Sequence, residues 1–263
     1  MIDARGRGGR AGRGAAIGCG PLVVVAILAL VFGADPSDLM RMLQNSGPPP
    51  AEQQAGPVQD NGEGEFVRRV LGETEDVWED VYPAATGERY QEPELVLFSG
   101  VYPTACGTGN AATGPFYCPL DQRVYIDLSF FNQLARMGGR GDFAAAYVIG
   151  HEVGHHVQNL IGVLGESQRY RGRSDVSVAV ELQADCYAGV WAHHADRERD
   201  VLDEEDIQEG INAAAAVGDD SIRGGAVRPD ALSHGTSRQR VEWFVRGLRS
   251  GDMRSCDTFS GLR

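Results

Sequence analysis

The residues with the clearest chemical pattern are His151, Glu152 and His155, which form an H-E-x-x-H motif. The apolar spacing around them predicts a helix from Asp142 to a stop at Gly162. Histidines four residues apart lie on one side of a helix, so both rings can reach the same metal ion. Glu152 is rotated about 100° from His151, which suits a general base beside the ion better than a ligand.

A second predicted helix, from Ser174 to about His194, offers two carboxylates. Glu181 and Asp185 are four residues apart in an otherwise apolar stretch, where an unpaired carboxylate would be costly. We expect Glu181 to be the third metal ligand and Asp185 to accept the second ring N–H of a ligand histidine. Two alternatives stay open: Asp185 is the ligand, or both carboxylates are solvated on an exposed stripe.

This ligand set is typical of a catalytic zinc site, in which three protein ligands leave the fourth position for water. The sequence therefore predicts one zinc ion per chain and hydrolysis of a peptide or protein substrate by a zinc-activated water, with Glu152 as general base. His234 is the first candidate for stabilising the oxyanion, and Tyr187 and Tyr170 are alternatives. The competing hypotheses are an exported zinc-binding interaction domain without catalytic activity and a metal-free helical adaptor.

Four cysteines lie in the body of the chain, an even number that favours two disulfides in an oxidising compartment. Three pairings are possible. Cys106 and Cys118 enclose a short loop of small residues, so we expect this pair to form and leave Cys186 with Cys256. Four buried thiols are the alternative, and the absence of a C-x-x-C spacing argues against a cysteine metal site.

The N-terminal segment has the features of a membrane anchor. Four arginines in the basic segment 1–14 precede residues 15–33, which carry no charge. Nineteen helical residues span about 28 Å, close to the thickness of a bilayer core. The positive flank predicts a cytoplasmic N-terminus and an extracytoplasmic domain on a single-pass anchor. A cleaved signal peptide is the alternative. Residues 34–64, rich in Pro, Gln and Gly, are typical of a flexible linker.

The charge of the chain argues against a nucleic-acid partner. The sequence has 37 acidic and 24 basic residues, all of the latter arginine, for a net charge of −13. Four arginines and one aspartate lie in the first 14 residues, which leaves 20 bases and 36 acids, a charge of −16, for the rest. Nucleic-acid-binding domains usually carry a basic patch instead.

Residues 65–263 predict a single α+β domain, mainly helical with a small sheet. Besides the two helices above, we expect helices and strands at the following positions: helices at 65–82, 129–137, 203–217 and from Thr236 to Gly251, and strands at 94–98 and 124–128. Either strand is a candidate edge for pairing with an extended peptide. Gly150 and Gly154 favour a close approach of the second metal helix to the first, and simple tolerance of glycine, in a chain with 35 of them, is the alternative.

Four segments together resemble the bacterial neutral zinc metallopeptidase family. They are HEVGHHVQ, ELQADCYAGVWA, GPFYCPLDQRVYIDLSFF and SHGTSRQRVEWF, and the resemblance covers about residues 65–260. It implies a zincin-like fold of the glutamate-ligand type, with His151, His155 and Glu181 on zinc and Glu152 catalytic. It also implies an N-terminal membrane anchor.

Overall fold

A computed structural model describes residues 2–3, 62–110 and 114–262, which belong to one compact unit. The helices are α1 Glu63–Thr86, α2 Ser129–Met137, α3 Asp142–Leu160, α4 Val163–Ser167, α5 Ser174–Arg199, α6 Glu204–Ala216, α7 Asp219–Ile222 and α8 Ser237–Ser250. The strands are β1 Ile2–Asp3, β2 Glu94–Phe98, β3 Val101–Thr104, β4 Gly107–Asn110, β5 Phe116–Cys118 and β6 Arg123–Asp127. A mainly helical α+β domain with a small sheet is thus confirmed.

The predicted N-terminal anchor lies outside the described residues, as do nearly all of the basic segment and the linker. No helix within the described part of the chain is long and apolar enough to cross a membrane.

The main sheet has the strand order β1-β2-β6-β5, with β1, β2 and β6 parallel and β5 antiparallel to β6. The prediction that 94–98 or 124–128 forms an edge is therefore wrong, because β2 and β6 are both interior strands. The edge strand on the β6 side of the sheet is β5, which has three residues and was not predicted from the sequence.

Both faces of the interior strands are buried. Leu95 and Leu97 of β2 pack in the main core with the helices, whereas Val96 and Phe98 contribute to a smaller cluster on the other face. Tyr102, on the β3–β4 hairpin, packs against that smaller cluster. The core on one face fixes β6, and with it the edge strand β5, beside α3.

The two predicted metal helices pack at very short range, as the glycine spacing predicts. A Cβ atom added to Gly154 of α3 would lie 2.8 Å from the carbonyl oxygen of Ala184 on α5. One added to Gly150 would lie 2.8 Å from the ring of Trp191. Glycine at 154 therefore allows the backbones of α3 and α5 to come this close, and glycine at 150 makes room for the ring of Trp191.

Helix α8 crosses α5 just as closely. A Cβ at Gly247 would lie 1.9 Å from the carbonyl oxygen of Cys186. A capping box begins this helix: the side chain of Thr236 accepts from the backbone N–H of Gln239, and Oε1 of Gln239 accepts from the backbone N–H of Thr236. Together these features place the first turns of α8 beside the inner face of α5.

Candidate metal centre

The three predicted ligands converge on one point. His151 and His155 of α3 and Glu181 of α5 each offer an atom within 4.8 Å of the others. Nε2 of His151 lies 3.3 Å from Oε2 of Glu181, and Nε2 of His155 lies 3.6 Å from Oε1. Bonds of 2.0–2.1 Å to a tetrahedral zinc require ligand atoms about 3.3–3.4 Å apart. The two distances, which go to different oxygens of Glu181, are close to this spacing, and two imidazoles with one carboxylate are a donor set that fits zinc.

Asp185 lies behind His151, where we expect a residue that orients the ligand. Its Oδ1 is 2.8 Å from Nδ1 of His151, so the ring directs Nε2 toward Glu181. Burial disfavours the protonated imidazole, but the charge and hydrogen bonds of Asp185 and Glu181 outweigh it and raise the pKa of His151 to about 9. In the metal-free site the doubly protonated form of this ring is therefore favoured, and a metal ion that binds Nε2 must displace the proton on that atom.

The geometry favours Glu181 over Asp185 as the ligand. Asp185 is fully buried, and both of its oxygens already have donors: Arg240 Nε at Oδ2, and Arg240 Nη2, Tyr147 and His151 at Oδ1. Burial acts to raise the pKa of Asp185, but the charges of Arg240 and His151 more than offset it and lower the pKa. The carboxylate thus stays ionised and committed to this network.

Arg240 is a buried residue of the centre that sequence reasoning missed. Its guanidinium makes two 2.8 Å bonds to the carboxylate of Asp185 and a third bond to the carbonyl oxygen of Val217. It also lies 3.2 Å from Nδ1 of His151. The available signal was an arginine on the first turn of the helix that follows His234, but only the α5–α8 crossing shows where it goes.

Glu152 faces the same cavity as the three ligands. The cavity has a volume of about 430 Å³ and is also lined by Phe116 and Tyr117 of the edge strand β5. Glu152 is 6% exposed, and its carboxylate has no hydrogen-bond partner among the described residues. Glu152 thus places a buried carboxylate in the cavity that the candidate ligands line.

His234 lines this cavity from the loop before α8. Its Nδ1 is 2.9 Å from Oγ of Ser233 and 3.4 Å from Oδ1 of Asp219. Asp219 accepts the backbone N–H groups of residues 233–235, and these bonds, against the effect of burial, lower its pKa. Asp219, which sequence reasoning also missed, therefore anchors the whole loop and leaves Nε2 of His234 for other contacts.

The two alternative tyrosines lie elsewhere. Tyr187 is buried on α5 and stacks edge-on against Trp78 in the core. Tyr170 is exposed and lines an adjacent cavity that shares Glu181 with the site. Neither lines the cavity that contains Glu152, so His234 keeps its place as the candidate for oxyanion stabilisation.

Both predicted disulfides are present. Cys106 pairs with Cys118, and Cys186 pairs with Cys256. The first joins the β3–β4 hairpin to the end of β5. The second ties the C-terminal 3-10 helix, Met253–Cys256, to α5 one turn beyond Glu181.

The next histidine of α3 is structural. Nε2 of His156 contacts the carbonyl oxygen of Gln91, and its Nδ1 lies 3.0 Å from the hydroxyl of Tyr117. Because the carbonyl accepts only, Nε2 carries the hydrogen and Nδ1 accepts from Tyr117. Burial lowers the pKa of His156 to about 4, so the ring is neutral.

The chain is similar in sequence to a described family and to bacterial proteins. Residues 1–259 match the family described as "Putative neutral zinc metallopeptidase", and the chain belongs to that family. "Uncharacterized protein YpfJ" of Escherichia coli strain K12 is 43% identical over 252 residues, covering 90% of this chain and 85% of that protein. "Uncharacterized protein Rv2575" of Mycobacterium tuberculosis strain H37Rv is 44% identical over 199 residues, covering 70% and 66%. No solved structure matches the chain.

Proposed function

We propose that this protein is a zinc-dependent peptidase with a zincin-like arrangement of its two metal helices. The observation that carries the proposal is Glu152, a buried carboxylate in the cavity of the His151, His155 and Glu181 triad. A purely structural zinc site closes its coordination with four protein ligands and has no use for such a group. Membership of the zinc metallopeptidase family supports the same conclusion.

Five residues of the cavity have roles in the proposed reaction. His151, His155 and Glu181 hold the ion. When bound there, zinc lowers the pKa of a water molecule and polarises the scissile carbonyl. Glu152 accepts the proton of the attacking water and later gives it to the leaving amine. When it carries a hydrogen on Nε2 as well as on Nδ1, His234 would donate from Nε2 to the carbonyl oxygen as negative charge develops on it.

The substrate we propose is an extended peptide that adds to the sheet along β5. This strand is at the edge of the sheet, and two of its residues line the cavity. Main-chain hydrogen bonds would align the peptide, and the cavity would receive a side chain. Apolar residues make up much of the wall, namely Phe130, Val148, Leu164, Val180, Val217 and Ile222.

The decisive experiment compares the parent protein with Glu152→Gln. Glutamine keeps the shape of the side chain but cannot accept a proton at neutral pH, so hydrolysis should fall by about 10⁴-fold or more. Zinc content should stay near one per chain because Glu152 is not a ligand. His151→Ala should instead lose zinc and activity together.

The outcomes separate the competing functions. Parent-like turnover by Glu152→Gln would remove this residue from the mechanism. Loss of zinc together with activity would mean that Glu152 is a ligand or a structural group. A parent protein that holds zinc but cleaves nothing in a broad peptide library would favour the zinc-binding interaction domain.

We also propose that residues 15–33 anchor the domain in the cell membrane and that the domain is extracytoplasmic. Two disulfides fit an oxidising compartment. The pairing of Ile2–Asp3 with β2, however, places the first residues beside the domain, whereas the anchor places them across the membrane. An N-terminal tag that is labelled from outside intact cells would refute the anchor.

A further inference from the structure

His155 begins a continuous chain of hydrogen bonds that ends at the C-terminal disulfide. Its Nδ1 lies 2.8 Å from Oε1 of Gln158. Nε2 of Gln158 donates to the carbonyl oxygen of Val180 at 2.7 Å and to Oε1 of Gln183 at 3.0 Å. Nε2 of Gln183 in turn donates to the carbonyl oxygen of Cys256 at 3.0 Å.

The two backbone carbonyls at Val180 and Cys256 fix the orientation of both amides. A carbonyl oxygen only accepts, so each glutamine must turn its NH₂ group toward the carbonyl it touches. Oε1 of Gln158 then faces Nδ1 of His155, which must carry the hydrogen. Nε2 of His155 is left with the lone pair, and it is the atom that faces Glu181.

The amides of this hydrogen-bond chain are buried, and burying an amide costs free energy unless its hydrogen bonds are made. Gln158 is 0% and Gln183 6% exposed. Gln158 belongs to α3 and Gln183 to α5, so their bond also joins the two metal helices. Cys256, at the far end of this hydrogen-bond chain, is held to Cys186 on α5 by the disulfide.

The two ligand histidines are thus oriented by chemically different partners. His151 is held by the ionised pair of Asp185 and Arg240, whereas His155 is held by neutral amides. A neutral acceptor fixes the tautomer without adding another negative charge behind the metal.

We infer that Gln158 and Gln183 are positioning residues for His155 and that the Cys186–Cys256 disulfide fixes the far end of this chain. The inference rests on the proposed zinc binding but not on peptidase activity. Removing a group that orients a metal ligand typically weakens metal affinity 10–100-fold.

The test measures zinc affinity by competition with a chelator, first for the parent and then for variants of the intact chain. We expect Gln158→Leu and Gln183→Leu to bind zinc about 10–100-fold more weakly. Gln208→Leu, an exposed glutamine on α6, is the matched control and should bind like the parent. The absorption spectrum of the cobalt-loaded protein should change for the first two variants only.

Gln158→Glu separates positioning from stability. It still accepts from Nδ1 of His155 but cannot donate to Val180, so it should be less stable than the parent yet bind zinc more tightly than Gln158→Leu. The inference is overturned if both leucine variants bind zinc like Gln208→Leu, or if Gln158→Glu binds no better than Gln158→Leu. If Gln158→Leu does not fold, the zinc affinity of Gln183→Leu, compared with that of Gln208→Leu, decides whether the inference holds.

A parent protein that binds no zinc would refute the metal centre itself. A parent that binds zinc but cleaves no peptide would refute only the proposed activity and leave this test valid.

Discussion

Gly154→Ala tests whether the close approach of α3 and α5 is required for the metal centre. The added Cβ would lie 2.8 Å from the carbonyl oxygen of Ala184 and 3.1 Å from its Cα. Both neighbours are backbone atoms and cannot rotate away. To restore an ordinary contact of 3.4 Å, the two helices must separate by about 0.6 Å at this point. Ala184 is three residues from Glu181, so this ligand moves with it.

The expected cost follows from two opposing effects. Alanine is favoured over glycine inside a helix by about 1 kcal/mol. Overpacking a tight contact costs about 1–3 kcal/mol, and a clash with backbone belongs at the upper end of that range. We therefore expect a net destabilisation of about 1–2 kcal/mol, which lowers Tm by roughly 2–8 °C in a domain of this size. Because bond lengths at a zinc site tolerate only about 0.2 Å, zinc affinity should also fall, on the order of 10-fold.

The assay measures Tm with a chelator present, so that zinc binding does not contribute, and zinc affinity separately by competition. Gly72→Ala is the matched control. Gly72 is also inside a helix, but a Cβ there would have no neighbour within 4 Å. This control should raise Tm by about 2–4 °C and leave zinc affinity unchanged. If Gly154→Ala behaves like Gly72→Ala in both measurements, the close packing of α3 and α5 is not what the glycine provides.

Three further predictions concern the surroundings of the site. Replacing Cys186 and Cys256 by alanine should lower the free energy of unfolding by about 4 kcal/mol, from the 70-residue separation of the pair, in a denaturant titration. His156 has a pKa of about 4 in the fold against 6.5 when unfolded, so the unfolded chain binds the extra proton between these values. Stability should therefore fall by up to about 3 kcal/mol as the pH drops from 6.5 to 4, and His156→Gln should remove that part of the slope. Asp185→Asn leaves the Arg240 charge without a partner and should cost about 3–5 kcal/mol of stability and about 10–100-fold in zinc affinity; unchanged zinc affinity would contradict its role behind His151.

The candidate ligand set is predictable from the sequence because helical spacing is local. His151 and His155 are four residues apart, and so are Glu181 and Asp185, so each pair shares a helix face once the helix is predicted. The apolar residues around the second pair indicate burial and hence a need for partners. The close packing of the two helices was predicted for the same reason, since glycine inside a helix is costly unless something uses the space.

The remaining contacts depend on long-range packing that no local pattern shows. Arg240 is 55 residues from Asp185 and reaches it only because Gly247 lets α8 cross α5. The edge strand β5 has three residues and is too short for an alternating pattern. Because neither β1 nor β5 was predicted, the sheet expected from the sequence contained only the strands 94–98 and 124–128. Both strands of a two-stranded sheet are edge strands.

The charges around the triad explain why the centre contains an arginine. Glu152, Glu181 and Asp185 bring three carboxylates into a largely buried region, and Arg240 contributes one positive charge. The formal charge of −2 that remains for these described residues equals the charge that one zinc ion neutralises. Without Arg240, the ion would face a third uncompensated carboxylate, and Asp185 would compete with Glu181 for it. By binding both oxygens of Asp185, the guanidinium keeps this acid as the hydrogen-bond acceptor of His151 and leaves Glu181 as the candidate ligand.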